Sequence, residues 1–286
     1  MPDSSTYILT LSCPDRRGIV AAVSGFLAQS DCFIMESADF GDPASGRFFQ
    51  RVVFRTDGPS PSRAGLEEQF GIIARRFAMD WALHDSHRKA RLVVMVSKFG
   101  HCLNDLLYRY RTGALPVDIV AVVSNHPDFA ELAGWHGIPF HHWPVEAEGK
   151  AGTEARLMEL VEAGNVDLVV LARYMQILSP GLCERLSGRA INIHHSFLPS
   201  FKGARPYHQA HARGVKLIGA TAHYVTTDLD EGPIIEQAVE RIDHTHTPDD
   251  MVAIGRDIEN VVLARAIKLH VEHRVLVNGH KTVVFR

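Results

Sequence analysis

Asn192 and His194 are the residues of this 286-residue sequence whose types and spacing best suit chemistry. They stand two positions apart at the end of the apolar run RAINIHH, so a strand there places both side chains on one face. An asparagine amide can stabilise an oxygen that becomes negative, and a histidine tuned by a carboxylate can move a proton near neutral pH. With the aspartates of TTDLDEGP, these residues indicate acyl transfer at a carbonyl. The alternative is that they only satisfy a loop.

The attacking group in such a reaction is predicted to be water or an amine. The sequence has no serine in a GxSxG motif and no cysteine in a reactive motif, which disfavours a covalent acyl-enzyme. Its four cysteines form no CxxC pair and indicate reduced thiols packed inside the protein. Its 17 histidines include some close pairs, but these lack a convincing third ligand, so we expect no metal site.

The first 84 residues predict a small α+β unit. Strand-like and helical segments follow one another in the order βαββαβ, which is the ferredoxin-like pattern. The segments are TYILTLSC, IVAAVSGFLAQSD, CFIMESADF, GRFFQRVVFRT, LEEQFGIIARRFAMD and WALHD. The polar stretch DSHRKAR then indicates a linker, so we divide the chain into residues 1–86 and residues 87–286.

The second part of the chain predicts an α/β domain with a mostly parallel sheet. Apolar runs suited to buried strands alternate there with amphipathic helices. The longest runs are RLVVMVS, VDIVAVVSN, VDLVVLARY and RAINIHH. ATAHYV and GPIIEQAVERI predict an antiparallel hairpin at one edge, and a long helix precedes a small hairpin around Asn278-Gly279. Because ligands bind at the carboxyl ends of parallel strands, the polar segments after these strands form the candidate site.

The composition excludes several classes of protein. There are 30 basic and 33 acidic residues and a net charge of −3, so no positive field attracts nucleic acid or an anionic membrane. The apolar runs are too short, or too often interrupted by charge, to cross a bilayer. The N-terminal segment has no basic region before its apolar run, so we predict no signal peptide and expect the cytoplasm.

Several motifs of the second part occur together in the order found in one enzyme family. They are SKFGHCLNDLLYR, VVSNHPD, HGIPFHHWPV, LARYMQILSP, NIHHSFLPSFKGARPYHQA and DLDEGPIIEQ. Over residues 91–286 the sequence resembles the formyltetrahydrofolate deformylases, which have the formyltransferase fold. The first part resembles an ACT domain, the usual N-terminal partner in that family. The effector loop that this resemblance implies contains Asp15, Arg16, Gly18 and Ile19.

The resemblance also implies catalytic residues and a folate site. The family's catalytic residues correspond to Asn192, His194 and Asp230, the second aspartate of TDLDEGP rather than Asp228. Asp230 and His194 would position and deprotonate a water molecule, and Asn192 would stabilise the oxyanion. Main-chain groups of one loop would contact the pterin, while its apolar side chains could equally pack in the core. That loop is formed by Arg173, Tyr174, Met175, Gln176, Ile177 and Leu178.

Hydrolysis, rather than formyl transfer, is the reaction that the resemblance favours. Glycinamide ribonucleotide formyltransferases carry a phosphate loop rich in Gly, Ser and Asn after the first strand, whereas residues 97–102 here are bulkier and include one glycine. Residues 202–205 are interpreted as a wall of the cleft rather than a phosphate or tRNA site. The alternatives are a formyltransferase with an amine acceptor, such as glycinamide ribonucleotide, and a non-catalytic amino-acid sensor.

A metabolic role and partners follow from the same resemblance. The reaction would convert 10-formyltetrahydrofolate and water into tetrahydrofolate and formate, which balances one-carbon folates and supplies formate for purine synthesis. The folate is then the substrate, and no cofactor is expected. We expect a homo-oligomer and an amino-acid effector of the first domain, with neither nucleic acid nor membrane as a partner.

Overall fold

A computed structural model of the chain describes residues 5–56, 62–199 and 206–286, with the side chains of residues 145–148 and 206 left undescribed. Contacts divide the chain into two compact units. The first comprises Met1–Arg88, Glu272–Asn278 and Thr282–Arg286, and the second comprises Lys89–Val271 and Gly279–Lys281. From its position in the sequence, the C-terminal segment was expected in the second domain, and most of it groups with the first unit instead.

Two contacts explain where the C-terminal segment packs. The ring of His273 stacks on the ring of His84, with the ring centroids 3.5 Å apart. The guanidinium group of the buried Arg51 donates hydrogen bonds of 3.1 and 3.2 Å to the main-chain carbonyl of Glu272. These partners are far apart in the sequence, so no local pattern predicts them.

The first unit has the predicted order of strands and helices. Its elements are β1 (Thr6–Pro14), α1 (Ile19–Gln29), β2 (Cys32–Asp42), β3 (Arg47–Thr56), α2 (Arg63–Phe77) and β4 (Asp80–Asp85). The strands form an antiparallel sheet in the order β2-β3-β1-β4. Leu9 and Leu11 alternate along β1, and Val23 and Leu27 lie one turn apart on α1, so all four enter a single core.

The second unit is built on a seven-stranded sheet that is mostly parallel, as predicted. Its strands are β5 (Ala90–Val96), β6 (Val117–Ser124), β7 (Phe140–His142), β8 (Leu168–Leu171), β9 (Ala190–His194), β10 (Leu217–Tyr224) and β11 (Ile234–Arg241). They lie in the order β11-β10-β9-β8-β5-β6-β7. Strands β5 to β9 run parallel, and β10 and β11 form the predicted antiparallel hairpin at one edge.

The helices of the second unit connect these strands. They are α3 (His101–Thr112), α4 (Ala130–Trp135), α5 (Val145–Ala163), α6 (Pro180–Arg185), α7 (Pro206–Arg213) and α8 (Pro248–Val271). The chain ends in the predicted hairpin, formed by β12 (Val275–Asn278) and β13 (Lys281–Val284). Within the described residues, none of the helices is both long enough and apolar enough to cross a membrane.

Candidate active site

A cavity of about 330 Å³ lies at the carboxyl ends of β8 and β9 in the second unit. Asn192, His194 and Asp230 line it together with the whole predicted folate loop, residues 173–178. Further residues of the wall are Leu171, Cys183, Ile193, His195, His223, Val225, Thr226, Thr227, Asp228 and Leu229. The cavity therefore gathers both sets of residues that the sequence singles out in this part of the chain.

The pairing of β9 with β10 accounts for much of this convergence. Asn192 and His194 occupy alternate positions of β9, and in the antiparallel register they lie opposite His223 and Thr221 of β10. Because alternate residues of a strand point to the same face, Asn192 and His194 project together. The edge hairpin thus contributes a second wall beside the end of β9.

Asp230 reaches the two histidines from the turn between β10 and β11. Its backbone is left-handed, with φ 57°. Its Oδ2 lies 3.2 Å from Nδ1 of His194, and its Oδ1 lies 3.7 Å from Nε2 of His223. Gly232 closes the turn so tightly that a Cβ there would lie 1.7 Å from the carbonyl oxygen of Tyr224. The shape of this turn brings the carboxylate to the imidazoles.

His223 is a site residue that the sequence analysis missed. Its Nδ1 lies 2.9 Å from the carbonyl oxygen of Tyr224, and since a carbonyl only accepts, Nδ1 carries the proton. In the neutral ring Nε2 then accepts a hydrogen bond from the amide of Asn192, at 3.3 Å. His223 therefore orients the amide of Asn192. A histidine inside the apolar strand ATAHYV is the signal that could have identified it.

The carboxyl group of Asp230 is held in its ionised form. Burial opposes ionisation, but the hydrogen bond from His194 and the interaction with the imidazole of His223 outweigh it and hold the pKa of Asp230 well below its ordinary value. His194 is buried, and its Nε2 has no hydrogen-bond partner among the described residues. One end of this imidazole is thus fixed by a carboxylate, and the other end is available to a ligand.

The predicted folate loop divides its side chains between the core and the cavity. Tyr174 and Leu178 are buried in the core of the second unit. Met175 and Ile177 are 52% and 63% exposed and line the cavity. The main-chain N–H of Met175 donates to Oγ of Ser97 at 3.0 Å, so the loop after β5 supports this one. Core packing therefore accounts for Tyr174 and Leu178, whereas contact of Met175 and Ile177 with a folate stays a prediction.

The loop after β5 is part of the supporting framework of the site. Ser97 donates from its hydroxyl to Oδ1 of Asn125 at 2.7 Å. Cys102 is fully buried at the start of α3, where burial raises the pKa of its thiol well above the ordinary value. A protonated, buried thiol is a poor nucleophile. Residues 202–205, interpreted from the sequence as a wall of the cleft, lie outside the described residues.

A buried acidic residue, Glu259 of α8, was also missed from the sequence. Its carboxylate accepts hydrogen bonds from Nε2 of His101 at 2.8 Å and from the hydroxyl of Tyr207 at 2.9 Å. Nε of Arg173 lies 3.4 Å from the same carboxylate. Burial opposes its ionisation, but the hydrogen bond from His101 and the charge of Arg173 lower the pKa of Glu259. A glutamate on the apolar face of a long helix was the available signal.

Potential metal ligands of His101, Cys102 and Glu259 lie within 4.8 Å of one another. Both oxygens of the carboxylate already accept hydrogen bonds, and the guanidinium of Arg173 supplies a positive charge beside it. The pKa of the thiol is raised, which disfavours the thiolate that would bind a metal. This donor set therefore fits a hydrogen-bonded ion-pair network better than a metal site.

The predicted effector-loop residues belong to the first unit. Gly18 precedes α1 with a left-handed φ of 93°, and as the N-cap residue it makes no side-chain hydrogen bond to the helix. The guanidinium of Arg16 lies over the ring of Phe77, 4.7 Å from its centroid. The main-chain N–H of Asp15 donates to the carbonyl of Gly46 at 2.8 Å, and Ile19 is buried in the core.

Comparisons with known proteins match a family model to most of the second part of the chain and curated relatives to nearly all of the chain. The family model described as formyl transferase matches residues 90–267. Formyltetrahydrofolate deformylases of Corynebacterium sp. (strain P-1) and Bacillus subtilis (strain 168) are 50% and 48% identical, over 100% and 97% of this chain and 100% and 93% of their own lengths.

Solved structures distinguish two kinds of relative. The formyltetrahydrofolate deformylase of Burkholderia mallei ATCC 23344 is 55% identical with a TM-score of 0.94, and the match covers 99% of this chain and all of the other. Glycinamide ribonucleotide transformylase 1 of Symbiobacterium toebii is 32% identical with a TM-score of 0.66, over 71% of this chain and 97% of its own. Similarity to the deformylase thus extends over a larger part of this chain.

Proposed function

Since the chain belongs to the formyltetrahydrofolate deformylase family and is a hydrolase of formyltetrahydrofolate, we propose that Asn192, His194 and Asp230 carry out the hydrolysis. The observation that supports this assignment most strongly is the ion pair of Asp230 and His194 beside Asn192 in a cavity. The folate is 10-formyltetrahydrofolate, and the cavity volume of about 330 Å³ is of the size that small-molecule sites have.

His194 acts as the general base in this proposal. The ionised Asp230 accepts a hydrogen bond from the N–H at Nδ1 of His194, which leaves the lone pair on Nε2, the nitrogen without a partner among the described residues. Nε2 removes a proton from water as the water oxygen bonds to the formyl carbon. The carboxylate then stabilises the imidazolium that forms.

Asn192 stabilises the negative charge on the formyl oxygen. One N–H of its amide is directed to His223, so the side chain is fixed and its second N–H is free to face the substrate. The bond between the formyl carbon and N10 then breaks, and N10 takes a proton from His194 or from water. The products are tetrahydrofolate and formic acid, which loses its proton to become formate.

The pterin occupies the part of the cavity formed by the loop 173–178. Met175 and Ile177 provide apolar surface there, and irregular main chain supplies donors and acceptors. The region that would hold a phosphate in a transformylase is instead engaged in internal contacts, since Ser97 binds Asn125 and the main chain of Met175. This arrangement supports water as the acceptor.

Formate release is the experiment that tests hydrolysis. Purified protein should convert 10-formyltetrahydrofolate into equal amounts of tetrahydrofolate and formate with no amine present, and glycinamide ribonucleotide should not accelerate it. Tetrahydrofolate production only when glycinamide ribonucleotide is added, with the formyl group transferred to that acceptor and no formate released, would identify a transferase. No turnover with or without the acceptor would favour the amino-acid sensor.

We further propose that the first unit is an ACT domain that binds an amino acid at Asp15, Arg16, Gly18 and Ile19. Its four-stranded antiparallel sheet and the N-terminus of α1, where the N-cap residue Gly18 makes no side-chain hydrogen bond, support this proposal. The N–H groups at that terminus favour a carboxylate. We also propose a homo-oligomer in the cytoplasm, where four free thiols are expected and where the formate can supply purine synthesis.

The amino-acid effector should change turnover by about 5- to 150-fold, the usual range of coupling between two sites. Calorimetry and kinetics with glycine, serine and methionine test this, and Gly18→Val should abolish the response. Gly113→Val is the matched control, because Gly113 also has a positive φ, 74°, and open space around it. Absence of heat and of any rate change with all three amino acids would make the first unit a structural or oligomerising module.

A further inference from the structure

Arg173 places a positive charge in the wall of the cavity. Its side chain is 9% exposed, and it lines the same cavity as His194 and Asp230. Its backbone is left-handed, with φ 65°, a conformation that glycine adopts without the cost that other residues incur there. The backbone conformation of the loop therefore does not explain why this residue is an arginine, so we looked to its side chain for the reason.

Glu259 does not satisfy the guanidinium of Arg173. Its two carboxylate oxygens accept from His101 and Tyr207, and Nε of Arg173 remains 3.4 Å away. Nε and Nη1 of Arg173 are both buried, and neither has a hydrogen-bond partner among the residues that the structure describes. The carboxylate thus supports the guanidinium electrostatically, while donor groups remain free.

The neighbouring His195 does not add a second positive charge beside Arg173 in this wall. Burial, reinforced by the charge of Arg173, lowers the pKa of His195 to about 3, so its ring is neutral at pH 7. Buried donors of a charged guanidinium are complementary to a carboxylate, which they bind in a planar geometry.

We propose that Arg173 forms a subsite for a small carboxylate, and that its ligand is the formate released in hydrolysis. This inference rests on the proposed function, in which a neutral formyl group becomes an anion inside this cavity. Water supplies the oxygen, the bond from the formyl carbon to N10 breaks, and the acid formed loses a proton. The guanidinium is then paired with the resulting formate until the product leaves.

The glutamate tail of the folate is a second source of carboxylate. The burial of Arg173 favours formate, because a glutamate tail has to extend toward solvent whereas formate is produced within the cavity. Kinetics with 10-formyltetrahydropteroate, which lacks the tail, separate the two sources. If Arg173 binds formate, replacing it has the same effect on formate inhibition with either substrate.

Product inhibition by formate is the main test. Arg173→Met should weaken inhibition by about 10- to 100-fold, the effect of losing hydrogen bonds from a charged donor. Arg173→Lys should retain part of it because it keeps the charge. Arg185→Met is the matched control, because Arg185 is 54% exposed and paired with Glu162 on the surface. An unchanged inhibition constant in Arg173→Met would overturn the proposal.

Formate binding to the unmodified protein gives a test that does not depend on whether the variants fold. Saturation-transfer NMR with ¹³C-formate and bound tetrahydrofolate should show saturable binding. Active wild-type protein without saturable formate binding would overturn the subsite and leave hydrolysis intact. Protein that binds formate but does not hydrolyse the folate would contradict the proposed function instead. Effects of Arg173→Met confined to the substrate with a glutamate tail would assign Arg173 to that tail.

Discussion

Replacing Asp230 with asparagine should lower kcat by about 10²- to 10⁴-fold, the range expected when general-base catalysis is lost. The amide cannot stabilise an imidazolium at His194, and it can favour the wrong tautomer by donating to Nδ1. Folate affinity should remain close to that of the wild type, since the proposed folate contacts are spread over the loop 173–178 and the rest of the residues that line the cavity.

Steady-state kinetics and equilibrium binding of tetrahydrofolate measure the two effects separately. Asp228→Asn is the matched control, because Asp228 lines the same cavity wall two residues away and should cause a much smaller loss. An Asp230→Asn variant that kept more than about a tenth of the wild-type kcat would be inconsistent with a base supported by this carboxylate.

Asn192→Ala should lower kcat by about 10²- to 10³-fold, the loss measured when one oxyanion donor is removed. The expected change in KM is small, because the charge that Asn192 is proposed to stabilise develops in the transition state. Its position opposite His223 in the β9–β10 register fixes the amide before the substrate arrives.

Single-turnover kinetics test the role of Asn192, with Asn104→Ala on an exposed position of α3 as the control. A rise in KM with kcat unchanged would place Asn192 in ground-state binding instead. Thermal unfolding of both variants checks that the second unit remains intact.

Most of the architecture could be predicted from the sequence because the patterns that indicate its strands and helices are local. Continuous apolar runs such as LVVL of β8 identify strands buried on both faces, and alternating helices and strands identify a parallel sheet. The order βαββαβ of the first unit rests on similar periodicities. Packing of the C-terminal segment within the first unit could not be predicted, because the stacked rings of His273 and His84 are far apart in the sequence.

The residues of the candidate site could be predicted from the sequence where they follow strands or form motifs. Asn192 and His194 end a buried strand, and the loop 173–178 follows another, so their convergence in one cavity could be expected. His223 depends on the register of an antiparallel pair. Glu259 depends on how α8 packs against Tyr207 and His101, which sequence periodicity does not specify.

The close approach of Gly232 to Tyr224 limits which sequences can preserve this site. Any side chain at position 232 would collide with the carbonyl oxygen that also accepts the hydrogen bond of His223. That carbonyl belongs to the backbone of β10 and cannot rotate away as a flexible side chain could. In a saturation mutagenesis screen for activity, position 232 should therefore tolerate as little variation as the proposed acid–base residues, although glycine has no reactive group.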